Sequence, residues 1–204
     1  MNLTKSKLLL VEGKDEEKFF TAFCKYKEIN DIEIIELGGK SGFKSSFPAV
    51  LNFRGIENVT AIGFVQDADN SKDAAVTSLC ALLHNNGIPK PTGHGQFSQK
   101  DGRSYGIFIM PGNRDSGMLE NLVLDSVDGH PAKIESEKYI DQLKITLEGN
   151  ADYKFPKNEP KARLFAFLAG LEKYKPSIGI ASESKVFNFD SPHFDDINSF
   201  LNQM

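Results

Sequence analysis

Hydrophobic and polar positions change period several times along the chain, and the changes mark out its elements. Leu8-Leu9-Leu10-Val11 is an apolar run without polar alternation, the pattern of a strand covered on both faces. Asp15 follows as a helix N-cap, and Phe19, Phe20 and Phe23 recur at helical spacing. Ile32 to Leu37 predicts a second strand closed by Gly38-Gly39, and Phe43 to Phe53 a second helix that Pro48 interrupts or shortens. Val59 to Val65 predicts a third strand, ending in Gln66-Asp67-Ala68-Asp69-Asn70. Ala75, Val76, Leu79, Leu82 and Leu83 then form a helical stripe that stops near Gly87. Residues 88–103 read as a polar loop rich in Pro and Gly. Tyr105 to Met110 predicts a fourth strand, broken by Pro111-Gly112, and Met118, Leu119, Leu122 and Val123 share one helical face.

Alternation of this kind implies βαβ units, right-handed crossovers and a mainly parallel sheet between helix layers. From about residue 135 the period is helical: Ile140, Leu143 and Leu147, then Leu164, Phe165, Leu168 and Leu171, and a last helix around Asp196 to Leu201. The expectation is a compact α/β core over residues 1–130 and a mainly helical extension over 131–204 packed on it. At 204 residues, 40% hydrophobic and with 16 Phe, the chain can bury a substantial core.

Charge narrows the function classes. Lys and Arg number 24 against 28 Asp and Glu, a net −4, so no global basic field of the kind many DNA-binding domains carry is present. Cys24 and Cys80 lie in apolar helical patterns without CxxC spacing, which supports buried thiols rather than a disulfide framework or a zinc site. The apolar run at Leu8–Val11 is too short for a signal peptide and no segment is long enough to span a membrane, so a cytoplasmic protein without a membrane partner is expected.

Ligands of an open α/β sheet bind outside the carboxyl ends of its strands. Glu12 ends the first strand and Asp67 with Asp69 ends the third. If the backbone stays extended, Asp67 and Asp69 point the same way. Carboxylates gathered at one edge repel unless protons or a cation neutralise them. Mg²⁺ (or Mn²⁺) suits such a set because it takes a few carboxylates and keeps waters for a phosphate substrate. The plainer alternative is that Glu12 caps a helix and Asp67-Ala68-Asp69 is a polar turn.

Leu8-Leu9-Leu10-Val11-Glu12-Gly13-Lys14-Asp15-Glu16, with Phe64-Val65-Gln66-Asp67-Ala68-Asp69 further on, resembles the Toprim (topoisomerase–primase) domain over roughly residues 7 to 125. That family has a glutamate-glycine after its first strand and a DxD after its third. The resemblance implies that Glu12 is a general acid/base or metal ligand and that Asp67 and Asp69 are a metal-binding pair. Among characterised Toprim enzymes the overcoming-lysogenization-defect (OLD) nucleases are most similar; Glu16 matches the second acid of their V-E-G-x-[TD]-E stretch, and Glu120 is the candidate for a further acid in a later helix. The run Glu159-Pro160-Lys161-Ala162-Arg163, with Asn188-Phe189-Asp190-Ser191-Pro192, is similar to bacterial stand-alone Toprim-like proteins. These residues contain no ATPase domain, unlike the full-length nucleases.

The remaining candidates are phosphate contacts. Gly38-Gly39-Lys40-Ser41-Gly42 is not a P-loop, because Ile34 stands where the first glycine is required. A tight loop whose N–H groups and Lys40 approach a phosphate is retained as a candidate, with a plain strand-to-helix turn as its alternative. Gly13, Gly39, Lys40 and Arg114 are thus candidate substrate contacts, and Lys161 a candidate catalytic cation for charge building on a phosphate. His94, between Gly93 and Gly95, sits in a flexible loop, and His84, His130 and His193 have no ligand spacing. The leading expectation is Mg²⁺-dependent phosphodiester chemistry on DNA or RNA. The alternative is a non-catalytic module that binds nucleic acid, nucleotide or a protein partner. A receiver-like phosphoacceptor domain needs a lysine after the last strand, which Tyr105–Gly112 lacks. The oligomeric state is open, a homodimer included.

Overall fold

The computed structural model describes residues 2–204. Its centre is a five-stranded sheet in the order β2-β1-β3-β5-β4. The strands are β1 (Lys7–Val11), β2 (Ile32–Glu36), β3 (Ala61–Asp67), β4 (Phe97–Lys100) and β5 (Arg103–Met110). β1, β2, β3 and β5 are parallel; β4 runs antiparallel on the edge beside β5. The three apolar runs at 8–11, 32–37 and 59–65 are therefore neighbours, as their patterns predict. Helices α1 (Lys14–Tyr26), α2 (Lys40–Val50), α3 (Lys72–Asn85) and α4 (Leu119–Asp125) alternate with these strands. Then come α5 (Pro131–Leu147), α6 (Glu159–Ala169), α7 (Ile178–Glu183) and α8 (Asp195–Gln203).

Alternate side chains of each strand feed opposite layers. Leu8, Leu10, Ile62, Phe64, Ile107 and Ile109 face α2 and α3, against Phe43, Phe47, Leu79 and Leu83. Leu9, Val11, Val65, Phe108 and Met110 face the other layer, where Phe19, Phe20 and Phe23 of α1 meet Phe189, Phe194 and Phe200 from the end of the chain. Residues on both sides of position 130 thus share one apolar cluster. No helix is long and apolar enough to cross a membrane among the described residues.

Four local expectations are corrected. Asp15 is not the N-cap of α1: Gly13 holds that position in extended backbone and Asp15 lies in the first turn. The second helix begins at Lys40, directly on the glycine turn, and Pro48 lies inside its last turn without ending it. So near the C-terminus the missing N–H removes one bond and the ring leaves the preceding turns intact. Part of the loop at 88–103 is strand β4, joined to β5 by a two-residue turn, Asp101-Gly102, with φ of 50° and 77°. Cys24 is buried, but Cys80 is only half-buried, its Sγ 3.6 Å from the Pro91 carbonyl.

Candidate active site at the carboxyl end of the sheet

The acids predicted at the strand ends lie at one end of the molecule. β1 delivers Glu12 and, one helical turn into α1, Glu16. Acids in the first turn of a helix are favoured by the partial positive charge of its N-terminus. Gly13 leaves the space Glu16 needs: a Cβ there would lie 3.1 Å from its Oε2. β3 ends in Asp67, and the chain leaving β5 enters α4, whose first turn carries Glu120, only 5% exposed.

Hydrogen bonds tie these pieces together. The backbone N–H of Asp67 donates to Glu12 Oε1 (2.9 Å), which fastens β1 to β3 at their ends. Asp67 Oδ1 accepts from the Leu119 N–H (3.1 Å), so the β3 carboxylate caps α4. The Gly39 N–H donates to the Glu12 carbonyl (2.6 Å), and Gly39 has φ 86°, a conformation that favours glycine. That turn delivers Lys40, whose Nζ donates to the Asp67 carbonyl (3.1 Å) and to Asp69 Oδ2 (2.5 Å).

Asp69 departs from the arrangement expected of it. Its φ is 49°, so the backbone is not extended across Asp67-Ala68-Asp69. The Asp69 N–H and C=O instead bond the Gly117 backbone (2.9 and 2.7 Å), and its exposed carboxylate meets Lys40. The inner set is therefore Glu12, Glu16, Asp67 and Glu120, with Asp69 on the rim. Lys161, near the start of α6, reaches within 3.7 Å of Glu120 Oε1. Arg114 lies across the rim and pairs with Asp125.

The electrostatics are those of an anion set held without enough countercharge. Burial raises the Glu12 carboxyl to about 7, against the lowering effects of the Asp67 N–H and Lys40. Burial first, then the charges of Glu12, Glu16 and Glu120, push Asp67 well above the carboxylate range. Glu16 and Glu120 are raised by burial too, with Lys161 opposing in both cases. Shifts of this kind, in several neighbouring acids at strand ends, make this end of the sheet a candidate functional site. Hard oxygen donors that repel one another fit a divalent cation such as Mg²⁺. As placed, no three Asp, Glu, His or Cys side chains converge as a ligand set among the described residues. Glu12 and Asp67 each have an oxygen on a backbone N–H, and Asp69 turns to Lys40.

Sequence reasoning missed the strap that closes the rim: Lys72 Nζ donates to the Gly112 carbonyl (2.8 Å) and the Lys72 N–H to Asp115 (2.7 Å). It also missed Lys157 and Asn158, which line a cleft beside Asp69. Neither carries a spacing signal; only the fold brings residue 157 next to residue 69. His94, expected in a flexible loop, is half-buried and accepts a hydrogen bond from the Ile109 N–H through Nδ1 (2.9 Å).

The fold is a Toprim-like α/β fold. It is shared with the C-terminal region of the Xanthomonas campestris pv. campestris OLD protein. The platinum-phased structure of that region has TM-score 0.50 and 14% identity over 97% of this chain and 91% of that one. The iodine-phased structure has 0.51 and 15% over 98% and 94%. The C-terminal region of the Burkholderia pseudomallei OLD protein also matches, with TM-score 0.48 and 18% identity over 98% of this chain and 97% of that one. The chain belongs to the family described as protein of unknown function DUF3226, whose model matches residues 6–204. A search of the curated proteins found no match.

Proposed function

We propose that this protein is a Toprim-type nuclease, using Mg²⁺ or Mn²⁺ for phosphodiester cleavage in nucleic acid. The observation that carries the reading is the gathering of four carboxyls, Glu12, Glu16, Asp67 and Glu120, at the carboxyl end of the sheet, each raised first by burial. Leaving such groups buried and charged is unfavourable until a cation joins them. The similarity in fold to the C-terminal regions of OLD proteins supports a nuclease-related module. Side chains from among Glu12, Glu16, Asp67 and Glu120 would turn toward the ion to hold it, since no three converge as placed, with Asp69 available if it leaves Lys40. The ion would supply Lewis-acid polarisation of the phosphate.

The chain's own residues do the rest. Glu12 lies against the site and takes the proton of the attacking water as the phosphorus–oxygen bond to the leaving sugar oxygen breaks, and the proton then passes to that oxygen. Lys161 approaches from the α6 side and offsets charge building on the phosphate. Gly39 and Lys40 hold the turn that frames the site, with Lys40 free to exchange Asp69 for a phosphate oxygen.

The test is cleavage of a panel of single- and double-stranded DNA and RNA in Mg²⁺ or Mn²⁺. Glu12→Gln is expected to reduce the rate by at least ~10²-fold. Its amide oxygen still accepts from the Asp67 N–H, so the fold is kept. Cleavage that is unchanged in Glu12→Gln would place the activity elsewhere. A panel left intact would favour the non-catalytic binding module.

A further inference from the structure

We infer that substrate enters as a single unpaired strand lying in the cleft beside the acids, an inference that rests on the proposed function because it concerns the same site. The cleft has a volume of about 430 Å³ and is lined by Asp69, Asn70, Arg114, Asn121, Lys157 and Asn158, among others. It shares Asp69 with the acid end. Pro160 on its wall precedes Lys161, which reaches toward Glu120. The cleft therefore borders the rim of the site.

Its walls are fixed. The Asp69–Gly117 backbone pair and the two Lys72 bonds lace the segment after β3 to the segment after β5. Asn121 and Asn158 use their side-chain carbonyls to accept from the N–H groups of Met118 and Lys161 (3.0 Å each), which sets the position of both amides. Lys157 suits a phosphate, and Arg114 suits one if it exchanges Asp125 for it; amide side chains suit base edges and sugars.

Size and charge select one strand. A volume of about 430 Å³ lies toward the low end of small-ligand clefts, roughly 300–1,000 Å³, which accommodates a nucleotide or two. A duplex is a larger object, with a major groove about 12 Å wide, and draws its affinity from many phosphate contacts. This chain offers no such field: its net charge is −4, and in the cleft Arg114 pairs with Asp125 and Asp69 with Lys40, which leaves Lys157 as the cation outside an ion pair among the described residues. Single-strand sites combine a narrow cationic channel with an aromatic platform. Tyr153 is 69% exposed and stands four residues before Lys157 in a segment without regular structure. That separation is at most about 14 Å of chain, so Tyr153 is within reach of a strand leaving the cleft.

Fluorescence anisotropy with Ca²⁺ in place of Mg²⁺ tests this, using a fluorescein-labelled oligo(dT) of about 12 nucleotides and a blunt duplex of the same length. The single strand is expected to bind at least ~10-fold more tightly. Its log K should fall with log salt at a slope of about −0.7 to −1.4, as for one or two neutralised phosphates. Lys157→Glu, at an exposed position, is expected to weaken the strand by at least ~10-fold, and Tyr153→Ala by about 5-fold. Equal or tighter duplex binding, or affinity indifferent to Lys157→Glu, overturns the inference. Glu12-dependent cleavage with a duplex preference would remove the strand cleft and keep the nuclease. Lys157-dependent strand binding with no cleavage of any substrate would do the reverse.

Discussion

Two regions of this molecule joined by α1 are built on opposite terms. The inner end of the helix contributes Phe19, Phe20 and Phe23, all fully buried, to a ring cluster with Phe189 and Phe194. Its first turn contributes Glu16 to a cluster of acids in which burial and neighbouring charges both oppose ionisation. In the first region every contact lowers the free energy of the folded state. In the second the fold holds groups together that would separate if free. The contrast is informative because propensity cannot explain it: the same 13-residue helix serves both. Packing fixes the helix, and the fixed helix then presents an acid that would otherwise move away. Strain of this kind is retained where it is used.

The comparison is most easily broken in the aromatic layer. Phe23 lies 5.3 Å from Phe189 and 5.5 Å from Phe194 between ring centroids. Phe23→Ala should cost about 3–5 kcal/mol and lower Tm by roughly 10 °C. Phe165→Ala, at a position 42% exposed, should change stability by about 0.5 kcal/mol or less. Chemical denaturation of both variants checks this. A Phe23→Ala cost below about 1 kcal/mol would mean that the layer does not anchor α1.

Substitutions among the acids should act with the opposite sign. Asp67→Asn keeps the oxygen that accepts from the Leu119 N–H and removes a charge that three neighbouring glutamates oppose. In metal-free buffer the variant should be as stable as the parent or more so. The parent should gain about 2.7 kcal/mol in Mg²⁺ or Mn²⁺ at a hundred times Kd, and the variant should not. Calorimetry with and without the ion reads both, and an equal gain in the two proteins would argue against the site.

Legibility divides along the same line. The strand runs at 8–11, 32–37 and 59–65, and the stripe Phe19, Phe20, Phe23, are local patterns, and the structure has them. Glu12 and Asp67 were legible because each directly follows an apolar strand. What the stripe packs against was not: Phe189 and Phe194 lie more than 160 residues on, and no local period encodes the meeting. β4 escaped because Phe97-Ser98-Gln99-Lys100 carries one apolar residue, enough for an edge strand and too little for a pattern. Asp101-Gly102 between it and β5 was the available signal. The Asp69 geometry escaped for another reason, since its left-handed backbone depends on pairing with Gly117 from a distant loop.

The pH dependence of the metal-free protein sharpens the contrast further. Glu12 is raised from 4.5 to about 7, and Glu16, Asp67 and Glu120 are raised as well. Between those limits the folded state binds more protons than the unfolded state, so unfolding free energy falls as pH rises. Glu12 alone should contribute a decline of about 2 kcal/mol across the window. His94 opposes this modestly: burial, then Lys72, lower its pKa, so its contribution is lost as pH falls below the ordinary histidine value. The net expectation, read by urea unfolding from pH 4.5 to 7.5, is a protein that loses stability toward neutrality without metal. Saturating Mg²⁺ should flatten or reverse the trend. Stability that rises steadily with pH in EDTA would contradict the raised carboxyls.

The smallest effect is expected at the edge between the two regions, at Lys161. Its Nζ lies 3.7 Å from Glu120 Oε1, and the lysine side chain is 54% exposed while that of the glutamate is 6% exposed. A pair with one solvated partner contributes about 0–1 kcal/mol, so Lys161→Ala should change stability by about 0.5 kcal/mol. The α6 N-terminus survives the change, because its cap, Asn158 Oδ1, accepts from the Lys161 backbone N–H, which the substitution keeps. The functional effect separates two roles. If the ammonium meets charge on the phosphate, turnover falls by about 10-fold while KM changes little, and Lys161→Arg restores part of the rate. If it serves only to neutralise Glu120, Lys161→Ala shifts metal affinity instead, and turnover at saturating metal equals that of the parent. Steady-state rates across a Mg²⁺ titration distinguish these outcomes, and the second would remove Lys161 from the catalytic set while leaving the acid cluster in place.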